Sequence, residues 1–157
     1  MLKQVGYNTN LAAEFYVLSV LHRLGLSASL TLGNRKAIDI IVETEDRTVT
    51  IDVKGMASRT NWPIDNFKSK DRSNHYLALV SFNNKIHDPS VLPTVYLVPA
   101  KDIPKFFYFN PKGTRQTIQF STMRAQGSQY HEAWLSLANA PPVSRSRKVV
   151  AGAPSDA

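Results

Sequence analysis

The sequence predicts an α/β fold in one domain, and three observations carry that prediction. A helix-period apolar segment runs from Asn8 to Leu24, and three strand-like segments separated by short polar turns follow it. Further apolar strands and a closing helical segment occupy the second half. A chain of 157 residues with 43% hydrophobic content can bury one core without disulfides or a structural metal.

Each element has a local reason. Asn8, Thr9 and Asn10 offer capping side chains and Gly25 follows as a stop, so the first helix is bounded at both ends. Ser27 to Leu32, Ala37 to Glu43 and Arg47 to Lys54 alternate and are rich in β-branched residues; with turns at Gly33-Asn34 and Thr44 to Asp46 they read as a meander. Gly55 to Ser73 is polar, basic and irregular, with Trp62 and Phe67 embedded in it, and predicts a long excursion off the sheet. Strands are expected at His75 to Phe82 and Thr94 to Val98, with a short helix or turn at Pro99 to Ile103. An edge strand is expected at Thr114 to Phe120 and a closing helix from Ser128 to Ala138. Residues 141–157 cannot contribute a core and are predicted to be a disordered basic tail behind a domain spanning 1–140.

Composition narrows the chemistry. With no cysteine, neither a disulfide framework nor a thiolate zinc site can form, and the four scattered histidines share no ligand spacing. A bound metal would therefore be held by oxygen. A net charge of +7 favours polyanionic partners. No run of eighteen apolar residues exists and MLKQVGYNTN lacks a secretory pattern, so a cytoplasmic protein with no membrane partner is expected.

Four residues stand out against this background. On a helical wheel Glu14 falls among Leu11, Val17, Leu18, Leu21 and Leu24, while Ala12, Tyr16, Ser19 and Arg23 take the opposite side. A carboxylate buried without a partner costs several kcal/mol, so a cation or a donor is expected to meet Glu14; a lysine or a backbone group would also serve. In the third strand Asp52 and Lys54 share a face with Thr48 and Thr50, opposite Val49, Ile51 and Val53. A plain solvated sheet face reads the same way. Asp39 is less easily explained, because it interrupts a strand that is apolar on both faces. If Glu45-Asp46 form a two-residue turn, Asp39 stands opposite Asp52, a register that a three-residue turn would shift. Like charges facing across strands are destabilising unless a cation lies between them, and a divalent metal would answer that need.

The segments AAEFYV, KAIDIIV and TIDVKG, in that order, resemble the core of the PD-(D/E)xK nuclease superfamily, the fold of many restriction enzymes and Holliday junction resolvases. They lie between Asn8 and Gly55, and the downstream HYLALVSF and PTVYLVPAKDI are similar in arrangement to later core strands of that family. Two departures are visible: Ile38 replaces the usual proline, and the second acid is Asp52 where Glu is commoner. The resemblance implies a restriction endonuclease-like core, a central mixed β-sheet flanked by helices. It implies a metal-dependent endonuclease hydrolysing phosphodiester bonds, with DNA the expected substrate and Glu14, Asp39, Asp52 and Lys54 as catalytic residues. Mg²⁺, with Mn²⁺ as a substitute, would be held by Asp39, Asp52 and the backbone carbonyl of Val53, with Glu14 acting through water. Lys54 would orient the attacking water and stabilise charge on the phosphate. A homodimer is expected by analogy.

Beyond that centre, Arg59, Lys68, Lys70 and Arg72 are expected to contact the nucleic-acid backbone, with Trp62 stacking on bases. His87-Asp88 and His131-Glu132 are local pairs read as structural. A non-catalytic nucleic-acid-binding module and a protein-interaction module on the same fold also remain compatible with these residues.

Overall fold

The structure, a computed structural model, describes residues 8–31, 38–65, 67, 73–113 and 115–139. Its first helix, α1 (Thr9–Arg23), starts where the Asn8 side chain accepts the Leu11 N–H at 3.3 Å. Beyond Leu24, Gly25 takes φ +76°, the left-handed turn that glycine allows at lowest cost. Among the described residues eight strands follow: β1 (Ser27–Leu30), β2 (Ile40–Glu43), β3 (Thr48–Met56), β4 (Asn61–Pro63), β5 (His75–Ser81), β6 (Thr94–Pro99), β7 (Phe107–Phe109) and β8 (Gln116–Gln119). Two short helices close the fold, α2 (Phe120–Gln126) and α3 (Leu135–Asn139).

Five strands make the central sheet in the order β1-β2-β3-β5-β6. The β3–β5 pair is parallel and the other pairs are antiparallel, so the sheet is mixed, with helices against it as expected from the sequence. The turn between β2 and β3 has two residues, Glu45 and Asp46, and is closed by the Thr44 N–H donating to the Arg47 carbonyl at 2.9 Å. It sets Ile40 against Ile51 and Glu43 against Thr48, the register expected for a two-residue turn.

Alternation then separates two cores. One face of the sheet presents Ile40, Val42, Val49, Ile51 and Val53 to Ala13, Val17 and Leu21 of α1. The other presents Leu77, Leu79, Tyr96 and Val98 to Trp62, Ile64, Ile118, Phe120 and Met123. Central strand β5 is buried along its whole length, which is why it reads as a continuous apolar run.

Several expectations are corrected here. The excursion after β3 contains β4, which joins β8 and β7 in a second sheet of order β4-β8-β7 that the sequence reading did not contain. β8 is therefore the middle strand of that sheet, not an edge. Three-residue strands carry too little alternation to be recognised locally; they form because β8 pairs with them. Helix α2 was also not anticipated. The expected closing helix is broken into a 3₁₀ turn, Ser128–Tyr130, and α3. Between them the Glu132 N–H donates to the Val95 carbonyl at 2.9 Å, with Glu132 at φ +51°, so pairing to β6 displaces helical bonding there. The C-terminal tail lies outside the described residues. Among the described residues no helix is long and apolar enough to cross a membrane.

The buried line of α1 is Ala13, Glu14, Val17 and Leu21, whereas Leu11 and Leu24 are exposed and Tyr16 packs partly against the core. Close approach to β3 explains the shift from the wheel. A Cβ added to Gly55 would lie 2.8 Å from Ala13 Cβ and 2.8 Å from the Thr9 carbonyl oxygen. Gly55→Ala should therefore destabilise the domain by about 1–3 kcal/mol through overpacking against backbone that cannot yield. Urea denaturation measures it, and an unchanged midpoint would show that α1 can move away from β3 freely.

Candidate active site

Asp39 sits one residue before β2, at the point where β2 and β3 part. Its N–H makes the last ladder bond, to the Ile51 carbonyl at 3.0 Å, and its own carbonyl accepts the Thr31 N–H at 2.9 Å. The Thr31 hydroxyl also donates to the Ile38 carbonyl, so the peptide on each side of Asp39 is tied to the end of the β1 segment. Beyond this point β3 would present a bare N–H at Val53 to the gap, and the Asp39 side chain fills that role: Oδ2 accepts the Val53 N–H at 2.8 Å. The carboxylate is 5% exposed and its rotamer is held by the strand it leaves.

The paired register begins at Ile40 opposite Ile51, and Asp39, whose N–H bonds that same Ile51, lies just before it; Asp52 leaves β3 on the face away from α1, because Ile51 and Val53 occupy the α1 face. The two carboxyl groups meet there. Burial, followed by hydrogen bonding to Asp39 and the Asp39 charge, pushes the Asp52 carboxyl up to about 7, while Lys54 pulls it down. The Lys54 Nζ lies 3.5 Å from Asp52 Oδ2, with the two side chains 29% and 20% exposed respectively. Water and a ligand can thus reach the amine and one carboxylate while Asp39 stays behind them.

The donor set fits a hard divalent cation. It is all oxygen, its two carboxylates face each other with their mutual repulsion only partly offset by Lys54, and a third oxygen opens on the same edge. Asp39 engages the Ile51 carbonyl and the Val53 N–H, and since N–H and C=O of one strand residue point to the same side, the Val53 carbonyl faces the gap that Asp39 borders.

Glu14 does not complete this group. It is 3% exposed, as the wheel implied, and accepts a hydrogen bond from the Asn10 amide at 3.1 Å. The Asn10 oxygen in turn accepts the Gly55 N–H at 3.1 Å, the next outward-facing donor of β3 after Val53. Among the described residues no three His, Asp or Glu side chains form a cluster able to hold a metal ion. The expected convergence of three acids is therefore corrected to two: α1 lies on the opposite face of β3, and Glu14 reaches the end of that strand through Asn10.

The expected nucleic-acid contacts divide. Trp62 is corrected: it is 0% exposed, donates from Nε1 to the Val80 carbonyl at 3.0 Å and packs edge-on against Tyr96, so its ring joins the two sheets and is not available to a base. Arg59 is at the surface, its guanidinium 4.9 Å above the Phe120 ring. Lys68, Lys70 and Arg72 lie outside the described residues. In the two local pairs, Asp88 accepts from Ser90 and Glu132 accepts from the Trp134 indole. The sequence reading missed Thr31, and it took Asn10 for a cap only. It also passed over His75, buried with Nδ1 2.7 Å from the Thr50 hydroxyl, in the cross-strand row beside Asp39 and Asp52. None carries a local signal, because each is defined by a partner distant in sequence.

A folded-state value near 7 for Asp52, against an ordinary 3.8, fixes the sign of a pH effect. Without metal, the folded chain keeps a proton that the unfolded chain releases, so this carboxyl stabilises the fold at low pH and loses that contribution as pH rises through about 7. In EDTA, Asp52→Asn should raise the thermal midpoint relative to the parent at pH 8, with the gap narrowing as the pH falls to 5. An equal gap at both pH values in differential scanning fluorimetry would contradict the shift.

No protein-family model and no curated protein matches the chain. Among solved structures it is similar to a bacterial homing endonuclease, I-Ssp6803I, at 16% sequence identity and a TM-score of 0.52. The match covers 85% of this chain and 94% of that one and shows a shared fold.

Proposed function

We propose that the protein is a metal-dependent nuclease of the PD-(D/E)xK type that hydrolyses phosphodiester bonds in DNA. The observation that carries this reading is the meeting of the Asp39 and Asp52 carboxyl groups at the opening between β2 and β3, with the Lys54 amine 3.5 Å from Asp52. The likeness in fold to a homing endonuclease and the net charge of +7 support it.

Asp39, Asp52 and the Val53 carbonyl would hold Mg²⁺ or Mn²⁺. Such an ion, when bound, polarises a phosphate oxygen and makes water a better nucleophile. Asp39 is the fixed member of the pair, because the Val53 N–H and the Thr31 contacts leave its backbone and Oδ2 no freedom. Asp52 is the more exposed member and faces the substrate side. Lys54, on the same face of β3, donates hydrogen bonds to a water or a non-bridging phosphate oxygen and offsets charge growing on the phosphate. Glu14 works at one remove: with Asn10 it holds the Gly55 N–H and thereby the end of the strand that carries Asp52 and Lys54.

Supercoiled plasmid, single-stranded DNA and a four-way junction, each incubated with Mg²⁺, Mn²⁺ or EDTA, test the reading. Strand scission is expected with either metal and none in EDTA. Lys54→Ala and Asp52→Asn should each lower the rate by about 100-fold or more, the range found when a charge-stabilising group is lost. Parental cleavage rates in Asp52→Asn would overturn the assignment. Independently of turnover, Mg²⁺ should raise the thermal midpoint of the parent at pH 8 and leave that of Asp52→Asn unmoved, since only a ligand bound to the folded state stabilises it.

A further inference from the structure

We propose that the cleft between Arg59 and α2 is a second phosphate-binding site, one that grips the sugar–phosphate backbone of a nucleic-acid strand. The turn that carries Arg59 is pinned on both sides. The Ser81 hydroxyl donates to the Ser58 carbonyl at 2.6 Å, and the Phe120 N–H donates to the Thr60 carbonyl at 2.9 Å. From this turn the Arg59 guanidinium lies over Phe120, a contact that holds a flexible side chain in one place. Arg124 and Ser121 of α2 complete a cleft of about 620 Å³ whose lining, Arg59, Phe120, Ser121, Arg124 and Ala125, contains no acid.

Two guanidinium groups share this space, and among the described residues neither has a carboxylate within salt-bridge distance. Other surface cations do have a carboxylate partner, as Lys105 with Asp102 and Arg115 with Asp65. Like charges held together without a counter-charge repel, and an anion between them removes that cost. The planar fork of arginine matches phosphate oxygens, and the serine hydroxyl adds a further donor.

The cleft contacts backbone, not bases. The Phe120 ring is buried and Arg59 lies over it, so little aromatic surface is left for a base to stack on. Arg59 follows Lys54 by five residues, so their Cα atoms are at most about 18 Å apart. Successive phosphates of one strand advance by about 3.4 Å, which lets a strand engaged at Asp52 and Lys54 reach Arg59 within about five nucleotides. The proposal shares the nucleic-acid partner of the reading above but not its cleavage chemistry.

Fluorescence anisotropy of labelled duplex and single-stranded oligonucleotides of two unrelated sequences, in EDTA from about 50 to 200 mM salt, tests it. The double variant Arg59→Gln, Arg124→Gln should bind at least about 10-fold more weakly at the lowest salt. Its slope of log affinity against log salt should be shallower by nearly 2 on duplex, since each lost phosphate contact removes about 0.9. The loss should be the same for both sequences, and Arg59→Lys, Arg124→Lys should restore most of the slope. An unchanged slope with the thermal midpoint preserved overturns the cleft while leaving the nuclease reading intact. The expected loss together with absent Mg²⁺-dependent scission supports the cleft and removes the nuclease. Parent protein that binds inorganic phosphate but no oligonucleotide overturns the nucleic-acid assignment of the cleft.

Discussion

The candidate site depends on one hydrogen bond, from the Val53 N–H to the Asp39 carboxylate. Strand β2 ends at Ile40, and every outward-facing donor of β3 beyond Ile51 needs a partner that the ladder no longer supplies. A side chain must take over. Asp39 does so for Val53 and Asn10 does so for Gly55, which converts the frayed end of a sheet into a place where polar side chains are held rigidly. The same bond fixes Asp39 beside Asp52, where burial and then the neighbouring carboxyl raise the affinity of Asp52 for a proton.

β3 divides the molecule into two environments that serve different ends. Its odd-numbered residues Val49, Ile51 and Val53 pack on the apolar side chains of α1, an interface tightened at Gly55 until a single methyl group would collide with backbone. Its even-numbered residues Asp52 and Lys54 lie on the face that the second sheet and α2 cover only in part. The tightly packed side leaves the strand little room to move, and the open side leaves the amine and one carboxylate accessible. A site that must hold a small, geometrically demanding cation needs both properties.

The second sheet earns its place by carrying surface. Trp62 fastens β4 beneath the central sheet, with its indole N–H satisfied by the Val80 carbonyl and its ring against Tyr96 and Phe120. Phe120, buried from the other side, is also the platform for Arg59. The residue that the sequence suggested for base stacking therefore acts indirectly, by anchoring the elements that hold two arginines at the surface.

Glu14, Asp39, Asp52 and Lys54 were conspicuous in the sequence because each violates the apolar or solvated pattern of its own element, and such violations are local. The two-residue turn and the register it sets, from Glu43 against Thr48 to Ile40 against Ile51, were equally legible, whereas Asp39 lies just beyond that pairing with its N–H on the Ile51 carbonyl. The capped first helix and the buried central strands also follow from short-range periodicity. What only the tertiary structure decided is which face each residue joins: α1 packs on the opposite side of β3 from the two aspartates, so Glu14 is held apart from them. The second sheet, the break in the closing helix and the meeting of Arg59 with Arg124 were likewise hidden. Each is made by pairing between segments tens of residues apart, and three-residue strands or a single bridging N–H leave no periodic trace in the chain itself.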